Sequence, residues 1–168
     1  MLSPLTLSIG LSLLLSGSIS KTEIHQRTVA HSFVVNIRAA YRTYSNARYG
    51  FSISYPSDLL VPQGESDNGD GQRFTSRDGS ASLAAFGSNR LDRSLQEEFR
   101  SAQENRNVTY KVLRRDMFVV SGTENGKIFY QKTLLRGDVF KTFIIEYDES
   151  ERGVYDTVTT RVARSFAG

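Results

Sequence analysis

Cysteine is missing from this chain of 168 residues. Its absence excludes disulfide bonds, thiolate nucleophiles and sites that hold zinc or iron–sulfur clusters through thiolates. Histidine is scarce as well, because His25 and His31 are the only two, and both precede the part that we predict to fold. A catalytic triad or a metal site built on histidine is therefore not expected.

Several sequence motifs of enzymes are absent too. The chain has no G-x-S-x-G nucleophile elbow, no P-loop and no glycine-rich dinucleotide fingerprint. We therefore expect no catalytic residues and no organic cofactor, and we predict that the protein is not an enzyme.

Charge is distributed unevenly along the chain. Residues 1–20 carry none, and residues 21–48 hold five basic side chains against the single acid Glu23. Residues 49–168 are nearly balanced, with 16 basic and 17 acidic side chains. Because the excess of positive charge lies in the lead-in segment, the folded part is not expected to bind nucleic acid.

The N-terminus is predicted to be a secretion signal over residues 1–20. Its apolar run 5–15 is too short for a membrane span and has the length of a signal-peptide core, and Ser18-Ile19-Ser20 offers small residues before a cleavage point. Leu15-Ser16-Gly17-Ser18 resembles a lipobox without its cysteine, so no lipid anchor is expected. An uncleaved anchor and a buried N-terminal helix remain the alternatives. The predicted location is the periplasm or the outside of the cell.

Residues 21–47 allow two interpretations. A helical stripe is spelled by Val29, Phe33, Ile37, Tyr41 and Tyr44. With Arg27, Arg38, Arg42 and Arg48 around it, this stripe could form a basic amphipathic helix on an anionic membrane surface. The interpretation that we favour is a linker, because serines, threonines and β-branched residues make a mediocre helix.

The remaining residues, 48–168, are predicted to form one α+β domain with a largely antiparallel sheet. Alternating patterns and turn residues predict strands over 50–55, 72–76, 80–86, 108–114, 117–123, 127–135 and 139–147. Tight turns are predicted at Asp78-Gly79, Asn125-Gly126 and Gly137-Asp138. The strand 139–147 is apolar on both faces, which is typical of a central strand.

Two helices are predicted to pack on this sheet. The first begins with the capping box Ser94-Leu95-Gln96-Glu97, and Leu95, Phe99 and Ala102 form its buried stripe. The second begins near residue 151, and its buried positions are predicted to be Val154, Tyr155, Val158, Val162 and Phe166. Strands followed by a helix, a four-strand meander and a second helix predict an α+β architecture.

Two segments resemble a known family. The opening Tyr49-Gly50-Phe51-Ser52-Ile53-Ser54-Tyr55-Pro56 and the closing Val162-Ala163-Arg164-Ser165-Phe166, with the helix and meander between them, resemble the PsbP-like domain over residues 47–167. That α/β/α sandwich is shared with a Ran-binding nuclear import factor and with exported bacterial proteins of unknown function. The resemblance implies a non-catalytic accessory or binding role and a protein partner.

One acidic loop is a candidate metal site. Glu65, Asp67, Asn68 and Asp70 place four oxygen ligands close together among glycines, and a hard cation such as Ca²⁺ could use them. An ordinary solvated loop is the more economical interpretation, since the spacing is not that of an EF-hand.

The expected function is therefore that of an exported, non-catalytic binding domain that acts through protein–protein contact. The alternative is a peripheral protein held at a membrane surface by residues 21–48.

Overall fold

The computed structural model describes residues 40–168 of the chain. The predicted signal over 1–20 and most of the segment 21–47 lie outside the described residues. None of the helices within 40–168 is long and apolar enough to cross a membrane.

The described part contains nine strands and two α-helices. In chain order the elements are β1 (Tyr41–Asn46), β2 (Phe51–Pro56), β3 (Val61–Glu65), β4 (Gly71–Thr75), β5 (Ala81–Asn89), α1 (Leu95–Ser101), β6 (Asn107–Leu113), β7 (Met117–Glu124), β8 (Lys127–Arg136), β9 (Val139–Asp148) and α2 (Arg152–Ser165). A 3-10 turn over Glu149–Glu151 leads into α2. The prediction of an α+β fold is confirmed.

Seven strands form one antiparallel sheet in the order β3-β4-β5-β9-β8-β7-β6. The last strand, β9, pairs with β5 on one side and with β8 on the other, so it lies at the centre of the sheet as its apolar faces predicted. The first two strands, β1 and β2, form a separate antiparallel hairpin. Three chain reversals use glycines with positive φ in the predicted turns, Gly79, Gly126 and Gly137.

Helix α2 and the β1–β2 hairpin cover one face of the sheet, which we call the α2 face. Their packing buries Ile53 of β2, Val158 and Val162 of α2, and Ile145 of β9 in one core. Along β8, Ile128 and Leu134 point to this core.

Helix α1 covers part of the opposite face, which we call the α1 face. It packs against β7, and Leu95 and Ala102 meet Phe118 and Phe129 in a second core. Because Phe129 lies between Ile128 and Tyr130 on β8, the two cores lie on opposite sides of the sheet. The layers are therefore helix, sheet and helix. The predicted capping box is present, since Ser94 accepts from the Glu97 backbone and the Glu97 side chain accepts from the Ser94 backbone.

The prediction of a helical stripe is wrong at Tyr41 and Tyr44, because both lie in strand β1. A spacing of three residues shares a helical face but alternates sides in a strand, and pairing with β2 decides between the two. Gly50, at φ +63°, closes that hairpin and donates its N–H to the Asn46 carbonyl. The sheet structure thus begins at Tyr41, which corrects the predicted domain start at residue 48.

Two further corrections concern β3 and Val154. Strand β3 is not among the predicted strands. Pro62 and Gly64 are unusual inside a strand, and the residues of β3 are all exposed at the sheet edge. Val154 was predicted to be buried and is 45% exposed, since it lies at the edge of the α2 stripe that faces the sheet, whereas its neighbour Tyr155 is buried. The other predicted apolar residues of α2 and the Phe166 that follows it are buried.

Candidate contact groove

Helix α2 leaves part of its sheet face uncovered. It packs against β2 and β9, and strands β7 and β8 continue beyond it. The space between the helix and these strands is an open groove with a volume of about 600 Å³. We call it the α2 groove. Its lining consists of Met117, Val119, Ser121, Tyr130, Lys132, Tyr147, Asp156, Thr159, Thr160, Ala163 and Arg164.

The floor of the α2 groove comes from alternate residues of two strands. Val119 lies beside Lys132 and Ser121 lies beside Tyr130 in the register of β7 and β8. Alternate residues of a strand point to the same side, which explains why these side chains share one face. The Tyr130 ring stacks on Phe143 of β9 at a centroid distance of 5.8 Å, which fixes its position in the floor.

The wall of the groove is one stripe of α2. Its members Asp156, Thr159, Thr160, Ala163 and Arg164 follow helical spacing, so they lie on one side of the helix. Asp156 and Arg164 are two turns apart, which corresponds to about 12 Å along the helix axis. The wall therefore has an acidic end and a basic end.

A tyrosine–carboxylate pair occupies the acidic end. The Tyr147 hydroxyl donates a hydrogen bond of 2.6 Å to Asp156 Oδ1. Burial, and next the hydrogen bond to Asp156, raise the pKa of Tyr147 to about 12. Tyr147 therefore stays protonated at physiological pH and acts as a fixed hydrogen-bond donor.

Lys132 lies at the basic end, half-buried in the floor. Its Nζ donates a hydrogen bond of 3.0 Å to the Ala163 carbonyl and lies 5.9 Å from the centre of the Phe166 ring. Burial, and next the nearby Arg136, lower the pKa of the Lys132 ammonium. The four ion pairs found within residues 40–168 do not include Lys132 or Arg164.

Thr159 adds to the groove a buried hydroxyl that has no hydrogen-bond partner. The residue is 7% exposed, and its Oγ1 has no hydrogen-bond partner, the one such buried side-chain atom of the described residues. A helical threonine can bond the carbonyl one turn earlier, here that of Tyr155, but the Thr159 hydroxyl lies instead beside the Tyr147 hydroxyl, outside hydrogen-bond geometry, where it acts to lower the pKa of Tyr147. The groove thus combines an apolar and aromatic floor with an ammonium and a hydroxyl that the fold leaves incompletely paired.

The acidic loop between β3 and β4 is organised by internal hydrogen bonds. Glu65 Oε1 accepts from the Tyr44 hydroxyl at 2.7 Å and from Asn46 Nδ2 at 3.3 Å. Asp70 accepts from Ser66 Oγ at 2.5 Å and from Asn68 Nδ2 at 2.9 Å. The hydrogen bond from Ser66, and next that from Asn68, lower the pKa of Asp70.

The structure therefore does not gather the four predicted Ca²⁺ ligands around one point. Glu65 is directed to β1, whereas Asp70 is engaged with Ser66 and Asn68, and Asp67 is exposed. Among residues 40–168, no cluster of three or more acidic or histidine side chains could hold a metal ion. A calcium site in this loop stays a prediction from the sequence.

The structure describes two of the four arginines that were proposed to face a membrane, Arg42 and Arg48. Arg42 is exposed on β1, and Arg48 donates to the Asn68 carbonyl while its guanidinium lies 5.2 Å from the centre of the Tyr49 ring. Arg27 and Arg38 lie outside the described residues. Arg48 thus belongs to the contact between the β1–β2 turn and the acidic loop.

The α2 groove was not predicted from the sequence. One signal was available: in the predicted strand 127–135, Lys132 stands between Tyr130 and Leu134 at a position where alternation expects an apolar residue. No sequence signal marks Thr159, because its burial depends on how far α2 reaches across the sheet.

Comparison with known proteins supports the fold and leaves the family open. No family model matches the chain, and no curated protein matches it in sequence. Among solved structures, the chain is similar to cyanobacterial PsbP (CyanoP) from Synechocystis sp. PCC 6803, with a TM-score of 0.56 and 14% identity. The match covers 77% of this chain and 92% of that protein. The PsbP-like fold expected from the sequence is confirmed, and at this identity the similarity concerns the fold alone.

Proposed function

We propose that this protein is an exported, non-catalytic accessory domain that binds a partner protein through the α2 groove. The observation that carries the proposal is the uncovered part of the α2 face, where β7 and β8 offer Val119, Tyr130 and Lys132 beside α2. A sheet face that its own helix does not cover gives a partner apolar area together with polar groups that set orientation.

The composition of the groove suits protein contact. Tyrosine and arginine are enriched where proteins meet, and the groove has Tyr130 in its floor and the exposed Arg164 on its wall. Tyr110, exposed on the edge strand β6, extends this aromatic surface beyond the floor. A partner that covered this area would bury rings held in place by packing, at little cost in conformational entropy.

The chemistry of the groove favours binding over catalysis. With a pKa of about 12, Tyr147 stays protonated near neutral pH and is not available as a general base, and Asp156 is engaged by the Tyr147 hydroxyl. Histidine, the usual proton carrier near neutral pH, does not occur in the sequence after His31. The PsbP-like fold and the signal-like residues 1–20 support an accessory role outside the cytoplasm.

A site-specific photo-crosslink tests the proposal. A benzophenone amino acid would replace Thr160, which is exposed in the groove, in the full chain expressed in the organism that encodes it. The matched control carries the same group at Arg73, which is exposed on the α1 face. We expect a discrete adduct from position 160 that excess unlabelled protein competes away, and no such adduct from position 73. Equal labelling from both positions would contradict the proposal.

Export is tested on the same full chain. The intact mass of the protein recovered from the periplasm or the medium of a Gram-negative host should correspond to cleavage near Ser20. Recovery of the uncleaved chain from the cytoplasm would contradict it. Liposome co-sedimentation with and without residues 21–39 separates the membrane alternative, since loss of binding on removal of the segment would favour membrane attachment.

A further inference from the structure

We propose that the basic end of the α2 groove is a subsite for a carboxylate of the partner polypeptide, with Lys132 as its anchor. The inference rests on the proposed function and adds the chemistry of the segment that is recognised. It comes from a charge that the fold leaves without a counter-charge, in a groove that is open to a ligand.

The position of Lys132 is unusual for a lysine. Its neighbours across the sheet are Val119 on β7 and Phe143 on β9, both buried apolar residues. A charged group in such surroundings is costly unless an opposite charge or hydrogen bonds compensate it. Lys127, five residues earlier on the same strand and on the other face of the sheet, does have a carboxylate partner, Asp148.

The fold gives Lys132 only neutral partners. Its bond to the Ala163 carbonyl satisfies a carbonyl of the last turn of α2, where positive charge is favourable. This contact is a structural role for the side chain. An ammonium has three donors, however, and one bond to a carbonyl leaves capacity and charge for an anion that enters the groove.

Two neighbouring groups add to the subsite. Arg164 lies on the wall at the same end of α2, exposed and outside the ion pairs of the described residues. Thr159, one turn before Ala163, holds the buried hydroxyl that lacks a partner. This hydroxyl lies beside that of Tyr147, and the alternative χ1 rotamer of a helical threonine would redirect it, so that it can supply a donor when a ligand is seated.

The groove also indicates what should accompany the carboxylate. Along β7, Val119 and Ser121 are two residues apart, which corresponds to about 7 Å, and Val119 lies beside Lys132 while Ser121 lies beside Tyr130. An extended segment with an acidic residue over Lys132 would place the residue two positions away over the Tyr130 ring. Asp156 at the other end disfavours a second acid there. The recognised pattern is therefore an acidic residue, any residue, and an aromatic or apolar residue.

The test uses two peptides that differ in one group. Acetyl-Ser-Glu-Ser-Phe-Ser-amide and its glutamine counterpart are titrated into the ¹⁵N-labelled mature chain at low salt, and amide shifts report the site and the affinity. We expect the glutamate peptide to shift groove amides and to bind about tenfold more tightly than the glutamine peptide, as one charge-assisted hydrogen bond implies.

Three variants assign the effect to the ammonium. Lys132→Met should remove the preference for glutamate, and Lys132→Arg should keep it. Lys141→Met is the matched control, because Lys141 also faces the α2 side and bonds a backbone carbonyl, that of Gly50, but lies outside the groove lining. It should leave the preference unchanged. A preference that survives in Lys132→Met overturns the proposal, and thermal unfolding of each variant identifies any that fails to fold.

The remaining outcomes separate this inference from the proposed function. Equal affinity of the two peptides with shifts in the groove overturns the carboxylate subsite and leaves the contact groove supported. If neither peptide binds at millimolar concentration, the carboxylate subsite is overturned. The crosslink from position 160 tests the proposed contact groove independently of that result. If free 3-phenylpropionate binds as tightly as the glutamate peptide, the ligand is a small carboxylate and the polypeptide assignment is overturned.

Discussion

Buried polar side chains in this domain are largely paired through hydrogen bonds. The buried polar residues of the described part are Asn46, Ser76, Gln131, Thr133, Lys141, Thr142 and Thr159. Thr133 and Thr142 bond each other at 2.9 Å on the α1 face, and Gln131 accepts from Arg106 at 3.1 Å. Against this background the unpaired hydroxyl of Thr159 stands out, because an unsatisfied buried group costs free energy. A residue that the fold leaves unsatisfied beside an open groove is a place to expect a ligand.

Asp78 illustrates how one side chain fixes a turn. Its carboxylate accepts from Ser76 Oγ at 2.7 Å, from the Ser80 backbone at 3.0 Å and from Ser80 Oγ at 2.8 Å. The Ser76 hydrogen bond, and next those from Ser80, lower the pKa of Asp78 to about 2. The hairpin between β4 and β5 thus depends on a carboxylate that must be ionised.

We predict that Asp78 makes the stability of the domain depend on pH in the acid range. Its pKa is lower in the folded chain than in the unfolded one, so its contribution is complete above about pH 4 and is lost as pH falls toward 2. Urea unfolding from pH 5 to 2 should show a smaller loss of stability in Asp78→Asn than in the parent protein. Identical pH profiles would contradict the prediction.

Helix α2 determines both the main core and the groove. Val162 is fully buried between the helix and the sheet, whereas Val154, two turns earlier, is 45% exposed. The two valines have the same side chain on the same helix, so they isolate the effect of burial from that of helix propensity. The difference between the stability losses on truncating Val162 and Val154 therefore reports how much packing against the sheet stabilises α2.

We predict that Val162→Ala lowers the free energy of unfolding by about 2 kcal/mol, because it removes buried methyl groups and leaves a cavity. Val154→Ala, the matched control, should change it by less than about 0.5 kcal/mol, since that side chain is largely in solvent. Chemical denaturation of both variants gives the two values. Equal losses of stability in the two variants would mean that Val162 is not buried between α2 and the sheet.

Elements with strong local signals were predictable, and those that depend on distant partners were not. Local backbone chemistry determines the turns at Gly79 and Gly126 and the cap formed by Ser94 and Glu97. These features depend only on residues that are neighbours in the sequence, so they can be predicted from it. Strand β1 was missed because Tyr41 and Tyr44 fit a helix as well as a strand, and only the pairing with β2 distinguishes them. The groove could not be derived, because it depends on where α2 ends over the sheet.

At the scale of the whole molecule, the β1–β2 hairpin is tied to the large sheet through Asn46. This buried amide donates to the Gly69 carbonyl at 2.9 Å and to the Tyr44 hydroxyl at 3.0 Å, and its oxygen accepts from the Tyr49 backbone at 2.8 Å. The Tyr44 ring packs edge-on against Phe51 and Phe74. Strand β1 therefore links the hairpin to the edge of the sheet.

The last prediction concerns the boundary of the folding unit. A chain of residues 48–168, which starts where the sequence alone placed the domain, lacks β1 and exposes the rings that Tyr44 covers. We expect it to be less stable than a chain of residues 40–168 by at least about 3 kcal/mol, because it loses the pairing of β1 with β2, the buried Asn46 amide and the partly buried Tyr44 ring together. Urea unfolding compares the two chains, and Arg42→Ala in the longer one is the control, because its side chain is exposed on β1. Residues 48–168 retain α2, β7 and β8, so the two chains differ only in the presence of β1 and its flanking residues. Equal stability of the two chains would show that β1 is an addition to the fold. The predicted loss of stability would make β1 part of the scaffold that holds α2 beside the groove.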